Sequence, residues 1–176
     1  MTVAQARDSL TCGADIVKAF GDADFTQVAS GGSGSGAISY VSSDAAVATV
    51  NSATGAVSLL TVGTTTITAT RAADTIYASA SNNYVRMVRQ AGDSLTAGSD
   101  IVKAFGDADF TQVASGGSGT GAISYVSSNT AVATVNSATG AVSLLTVGTT
   151  TITATRAGDV SYTTASDAYI LTLTQS

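Results

Sequence analysis

The residues best spaced for chemistry are two aspartate pairs. Asp22 and Asp24 flank Ala23, and Asp107 and Asp109 flank Ala108. Calcium takes several hard oxygen ligands, of which an Asp-x-Asp loop supplies two and backbone carbonyls can add others. The same residues also form turns by bonding their own backbone, and the turn is the reading adopted. Hydrolysis by paired carboxylates would need two of them facing across a cleft, and nothing in the pattern suggests one. His is absent, which removes Ser-His-Asp and Cys-His catalysis and most transition-metal sites. Cys12 is the single cysteine, so neither an intrachain disulfide nor a multi-thiolate metal site can form within one chain. The run Gly31-Gly32-Ser33-Gly34-Ser35-Gly36 lacks the Lys-Ser/Thr that completes a phosphate loop and reads as a strand connection. No catalytic, cofactor-binding or metal-binding residue is assigned, no cofactor is expected, and the chain does not read as an enzyme.

Charge narrows the partners. The net charge is −5, with only seven Lys and Arg in 176 residues. Phosphate backbones require a concentrated basic footprint, so nucleic acid is not expected. Anionic membrane surfaces are disfavoured for the same reason. Membrane insertion is not expected either, because no apolar run approaches the roughly 18–20 residues of a spanning helix. Apolar residues alternate with Ser and Thr instead. The opening residues 1–7 lack the basic and apolar regions of a secretory signal.

The elements that must position these residues come in duplicate. Gly21-Asp22-Ala23-Asp24-Phe25 recurs as Gly106-Asp107-Ala108-Asp109-Phe110, an offset of 85 residues. Residues 8–91 align with 93–176 without a gap, and about 66 of the 84 positions are identical. That identity means two copies of one fold, and the period is too long for a solenoid unit but suits a small independent domain. The expected domains are 1–91 and 92–176. Residues 1–7 have the phase of the end of a unit and read as the remnant or lead-in of a preceding repeat's last strand. The sequence leaves open a slice from a longer array and a gene product that starts at Met1. Cys12 has Ala97 as its counterpart and reads as a small apolar residue, with an interchain disulfide as the sharper alternative.

Within each copy, short β-branched segments alternate with turn signals. In the first copy they cover residues 16–19, 25–29, 37–42, 46–51, 56–60, 64–69 and 84–90. Ile38 and Tyr40 share one face, as do Ile67 and Ala69. Asn51 to Gly55 reads as a hairpin turn in which Gly55 supplies the positive φ. Seven or so strands with turns every 8–12 residues point to an all-β chain of two tandem β-sandwich domains.

Ser42, Ser43, Asp44, Val47, Ala48, Thr49, Val50, Asn51, Gly55, Val57, Gly63, Ile67, Thr68 and Ala69 resemble the pattern of the group 2 bacterial immunoglobulin-like domains. Ser127, Ser128, Asn129, Val132, Ala133, Thr134, Val135, Asn136, Gly140, Val142, Gly148, Ile152, Thr153 and Ala154 repeat it. The resemblance implies two tandem immunoglobulin-like β-sandwich domains, of a kind found in bacterial surface adhesins, large secreted repeat proteins and some phage virion proteins, with no shared active site. It leads to the expectation of a structural or adhesive spacer, extracellular or on the cell surface, whose partners are like domains in an array and other protein subunits or a receptor. A virion protein is the alternative, and a carbohydrate- or protein-binding module a second one. The recurring tyrosines, Tyr40, Tyr77, Tyr84 and their counterparts Tyr125, Tyr162 and Tyr169, read as core or corner packing.

One residue breaks the pattern. In the last strand of the second copy Leu171 and Leu173 alternate with Thr172 and Thr174, but Arg86 stands where Leu171 is expected in the first. A buried unpaired arginine is costly. Arg86 is therefore expected at a sandwich end, reaching water along its stem, or paired with an Asp, with a contact to a neighbouring domain or chain as the other reading.

Overall fold

The computed structural model describes residues 3–175. The chain divides into two compact units, Met1–Ala91 and Gly92–Ser176. Each holds seven strands and no helix among the described residues. In the first these are β1 (Ile16–Ala19), β2 (Phe25–Thr26), β3 (Ile38–Ser42), β4 (Ala48–Val50), β5 (Ala56–Leu59), β6 (Gly63–Arg71) and β7 (Ala80–Arg89). In the second they are β8 (Ile101–Ala104), β9 (Phe110–Thr111), β10 (Ile123–Ser127), β11 (Ala133–Val135), β12 (Ala141–Leu144), β13 (Gly148–Arg156) and β14 (Ala165–Thr174). Sheets ordered β1-β7-β6-β3 and β2-β5-β4 make up the first unit, and β8-β14-β13-β10 and β9-β12-β11 the second. This is the sandwich architecture expected from the strand spacing.

The longest pairing in each unit joins β6 to β7 and β13 to β14, antiparallel over nine residue pairs. Side chains alternate across a strand, and β6 shows why its threonine-rich sequence works. Thr65, Ile67, Ala69 and Arg71 point inward and are buried, while Thr64, Thr66, Thr68 and Thr70 face outward. β14 buries Tyr169, Leu171 and Leu173 in the same rhythm. β-branched threonines suit the pleated outer face, where hydroxyl and methyl can both be accommodated.

The second strand is shorter than its sequence suggests, ending at Thr26 instead of residue 29. The chain changes layers there. Ala29 N–H donates to the Tyr40 hydroxyl at 2.9 Å, and Ser30 exchanges two backbone hydrogen bonds with Thr11 at 2.7 and 2.9 Å. Those partners replace a continued ladder with β5. Gly55 adopts φ 71° at the hairpin, with Asn51 Oδ1 accepting from Ala53 and Thr54 N–H at 3.0 Å. A β-carbon on Gly55 would lie 2.8 Å from the Gln27 carbonyl oxygen and 3.1 Å from Tyr40 Cζ.

Two classes of buried tyrosine follow. Tyr40 and Tyr125 each accept a buried amide hydrogen, from Ala29 and Ala114 at 2.9 Å. Tyr84 and Tyr169 are as deeply buried, but their hydroxyls have no partner among the described residues. Removing one partner of a buried bond costs about 1–3 kcal/mol, whereas removing an unpaired hydroxyl costs little. Tyr40→Phe and Tyr125→Phe should therefore each destabilise their unit by about 1–3 kcal/mol. Tyr84→Phe and Tyr169→Phe should be neutral or stabilising. Denaturant titration of the four variants checks this, and equal losses across all four would contradict it.

Candidate functional site

The strand that enters each unit lies beside the strand that leaves it. β1 pairs in parallel with β7, from Ile16 opposite Arg86 to Ala19 opposite Arg89. β8 pairs in parallel with β14, from Ile101 opposite Leu171 to Ala104 opposite Thr174. The pairing is extended at both ends. Phe20 N–H donates to the Arg89 carbonyl at 2.9 Å, and Val85 N–H donates to Asp15 Oδ1 at 2.7 Å. Their counterparts run from Phe105 to Thr174 at 2.8 Å and from Ile170 to Asp100 at 2.7 Å. Tension on the two ends of a unit would run along these strands and load their hydrogen bonds together, in shear.

Ahead of β1 the chain is pinned by a buried ion pair. Arg71 donates to Asp8 Oδ2 at 2.9 Å, and Arg156 to Asp93 Oδ2 at 3.0 Å. Asp8 Oδ1 accepts from Ser33 and Gly34 N–H at 2.9 and 3.2 Å. The glycine-rich run is thus the wrapping around this pair. A β-carbon on Gly32, which adopts φ 73°, would lie 2.1 Å from the Ser9 carbonyl oxygen and 2.3 Å from Asp8 Oδ1. Burial acts to raise Asp8, but hydrogen bonds from Arg71, Ser33 and Gly34 outweigh it and hold its pKa at about 2. Asp93 is held at about 2 by the same balance of burial against Ser118, Arg156 and Gly119.

A second carboxylate fixes the far side of that loop. Asp74 accepts from Ser35 N–H at 2.7 Å, Tyr77 N–H at 2.7 Å and Ile76 N–H at 2.8 Å. These bonds depress its pKa well below the ordinary range. Asp159 lies at about 2, held by the N–H groups of Thr120, Ser161 and Tyr162. Ala6 exchanges backbone hydrogen bonds with Ile76 and Ala78 at 2.8 and 2.9 Å, so the lead-in is attached to the first unit at this point.

In each Asp-x-Asp pair the first residue serves a local turn, as expected, and the second reaches a distant strand instead. Asp22 Oδ2 accepts from Ala19 N–H at 2.9 Å. Asp24 points elsewhere, accepting from Ser58 Oγ at 2.7 Å and Leu59 N–H at 3.1 Å, and so ties β2 to β5. Asp107 and Asp109 bond Ala104 and Leu144 N–H in the same way, at 2.9 Å each. Among the described residues no three His, Cys, Asp or Glu side chains gather as metal ligands would. Two surface grooves, of about 270 and 300 Å³, are lined by Tyr40, Val41, Ser42, Ala45, Thr49 and Val50, and by Val3 to Ala6 with Thr75 and Ile76. Apart from the buried Tyr40, neither contains a titratable side chain.

Arg86 contradicts its expected place. It neither snorkels nor meets an Asp, but is fully buried with none of its three guanidinium nitrogens hydrogen-bonded among the described residues. Its guanidinium lies 3.8 Å from the centre of the Phe25 ring, across the interior on the opposing sheet. The expectation assumed that only water or a carboxylate could receive the charge; here an aromatic face does. Burial pulls its pKa down while the nearby Tyr84 acts the other way. A desolvated cation–π contact is worth about 2 kcal/mol or more, against a penalty of several kcal/mol for an arginine taken out of water, so the penalty exceeds the gain. Cys12 is buried and free, beside Tyr40, Ala69 and Tyr84, which suits the small-apolar reading and leaves an interchain disulfide no access to its thiol.

Residues 22–73 and 107–159, together more than half of the chain, match the family described as "Intimin, immunoglobulin-like domain". The chain belongs to the intimin immunoglobulin-like family. A search of curated proteins gave no significant match. Among solved structures, similarity extends to Drosophila N-cadherin EC1-3, at 12% identity and TM-score 0.39, covering 97% of this chain and 64% of that one. Human protocadherin-24 EC1-2 matches at 13% and 0.38, covering 95% and 98%, and the S-layer protein rSbsC at 18% and 0.38, covering 97% and 28%. The chain thus spans under two thirds of the N-cadherin fragment.

In these intimin-type units the sequence pattern drew attention to Ser42, Ser43 and Asp44, and the structure shows what they hold. Thr65, buried on β6, meets Ser42 Oγ at 2.9 Å and Ser43 Oγ at 3.2 Å and accepts from Asp44 N–H at 2.9 Å. Sequence reasoning missed Asp8, Arg71 and Asp74. The available signal was that each recurs in the second copy although cations are scarce.

These carboxylates set the acid limit. Asp8, Asp93 and Asp159 have folded pKa values depressed from 3.8 to about 2. The native state therefore binds fewer protons than the unfolded chain at mild acidity. The stabilisation is complete above the unfolded value and is lost as pH falls through 3.8 towards about 2. Thermal melts should show a plateau above about pH 5 and a falling Tm below it. Asp93→Asn should lower the plateau for the second unit and flatten its acid limb. A Tm that holds constant to about pH 2 would exclude this role.

Proposed function

We propose that the chain is a non-catalytic spacer of a bacterial cell-surface or secreted tandem-repeat protein, whose units keep their fold under tension along the chain. The observation behind this reading is the parallel pairing of entry and exit strands in both units, β1 with β7 and β8 with β14. Shearing such a pair breaks several hydrogen bonds at once, whereas peeling breaks them singly. Membership of the intimin immunoglobulin-like family supports an adhesin-type module placed outside the cell, with like domains in series as its immediate partners. The threonine-lined outer face of β6 suits passive exposure to solvent. No observation favours the virion reading or a glycan-binding one: of the six tyrosines, four are buried and two half-buried.

Single-molecule pulling on the full chain tests this. Two separate unfolding peaks are expected, each releasing on the order of 250 Å of chain, the extended length between a unit's first and last strands. Smooth extension at low force, without distinct peaks, would overturn the proposal.

A further inference from the structure

The segment Ile16–Thr26, which carries β1 and β2, is identical in sequence to Ile101–Thr111, which carries β8 and β9. The hydrogen bonds of Asp22 to Ala19 and of Asp24 to Leu59 recur at Asp107 and Asp109. What differs is the surface beneath. In the second unit, Leu171 and Leu173 join one continuous apolar core to which Ile101 and Phe110 also belong. In the first, Val57 and Val88 are equally buried, but they and the half-buried Ile16 and Phe25 are separated from the cluster around Tyr84. Arg86 occupies the gap, opposite Ile16 in register and under the Phe25 ring.

The two segments therefore face opposite balances. Lifting Ile101–Thr111 exposes Leu171 to water, which opposes opening. Lifting Ile16–Thr26 gives up the Phe25 contact but lets water reach three unpaired guanidinium nitrogens, and the larger hydration gain favours opening. The attachment to be broken is short: four residues of β1 on β7 with the Phe20–Arg89 bond beyond them, and two of β2 on β5 with the bonds of Asp24 to Ser58 and Leu59. The β6–β7 ladder need not be disturbed.

We infer that Ile16–Thr26 is a flap that opens on its own in the folded first unit, hydrating Arg86 and baring the β7 edge, while its twin Ile101–Thr111 stays closed until the second unit unfolds. Local openings of this kind lie below global unfolding in free energy. The inference does not depend on the proposed spacer role, and under that role it makes the first unit the mechanically weaker of the two, since β1 is part of the flap.

Native-state hydrogen exchange on the full chain provides the test. Peptides reaching back to Cys12 or Ala97 distinguish the two identical segments by mass. Amides of Ile16–Thr26 should exchange at least about tenfold faster than those of Ile101–Thr111, with β6 of the same unit remaining protected. Trypsin should cut the native chain after Lys18 before it cuts after Lys103. Arg86→Leu should abolish both differences, and Leu171→Arg should transfer fast exchange to the second unit. If Leu171→Arg fails to fold, Arg86→Leu alone decides. Equal exchange of the twin segments in the unaltered protein, a difference that survives Arg86→Leu, or β6 exchanging as fast as the flap would each overturn the inference.

Discussion

The antiparallel ladder of β6 with β7, repeated as β13 with β14, is the pairing on which each unit is built. Its nine-residue register places Ile67 against Tyr84 and Ile152 against Tyr169, so two large, fully buried apolar side chains lie side by side in each unit. Every other strand pairs along the flanks of this ladder or covers its inner face. β3 adds to one side through five residue pairs, and β1 to the other through four. Without it, strands of two to five residues would have nothing stable to pair with.

A ladder of this kind leaves the ends of the sandwich open, and neither unit has a disulfide to close them. Carboxylates take that part. Asp8, Asp24 and Asp74 each bond backbone N–H groups from a distant segment: the glycine-rich run, β5, and the same run from its far side. Each aspartate thereby converts an exposed connection into one fixed at two points. The arrangement also accounts for a chain that uses Asp to the exclusion of Glu, since the shorter side chain reaches the neighbouring backbone with less freedom to lose.

Much of this was legible in the sequence. Alternation of Thr with Ile and Ala placed the inward face of β6 correctly, and the recurrence of whole segments at one offset announced two copies of a sandwich. The turns of Asp22 and Asp107 were readable because their bonds are local, whereas the reach of Asp24 to β5 and of Asp109 to β12 was not. The pins were not, because Asp8 and Arg71 meet across 63 positions and periodicity does not report contacts between segments. Arg86 was recognised as an anomaly but given the wrong environment. A period-two pattern says which face a side chain occupies, and nothing about whether an aromatic ring waits on the other sheet.

Duplication brings a difficulty of its own. β6 and β13 are identical in sequence, residue for residue, so during synthesis either could accept either closing strand. Tandem repeats are prone to such exchange of partners between neighbours. The two copies have diverged mostly in the closing strands and the loops that lead to them. An arginine-bearing β7 laid into the second unit would meet, in Phe110, the same ring that Phe25 offers it, and a leucine-bearing β14 would find in Ile16 and Phe25 the same neighbours it has in Ile101 and Phe110. Side-chain fit against these identical partners therefore does not tell the closing strands apart, and the short connections from β6 to β7 and from β13 to β14 are what favour the strand of the same copy.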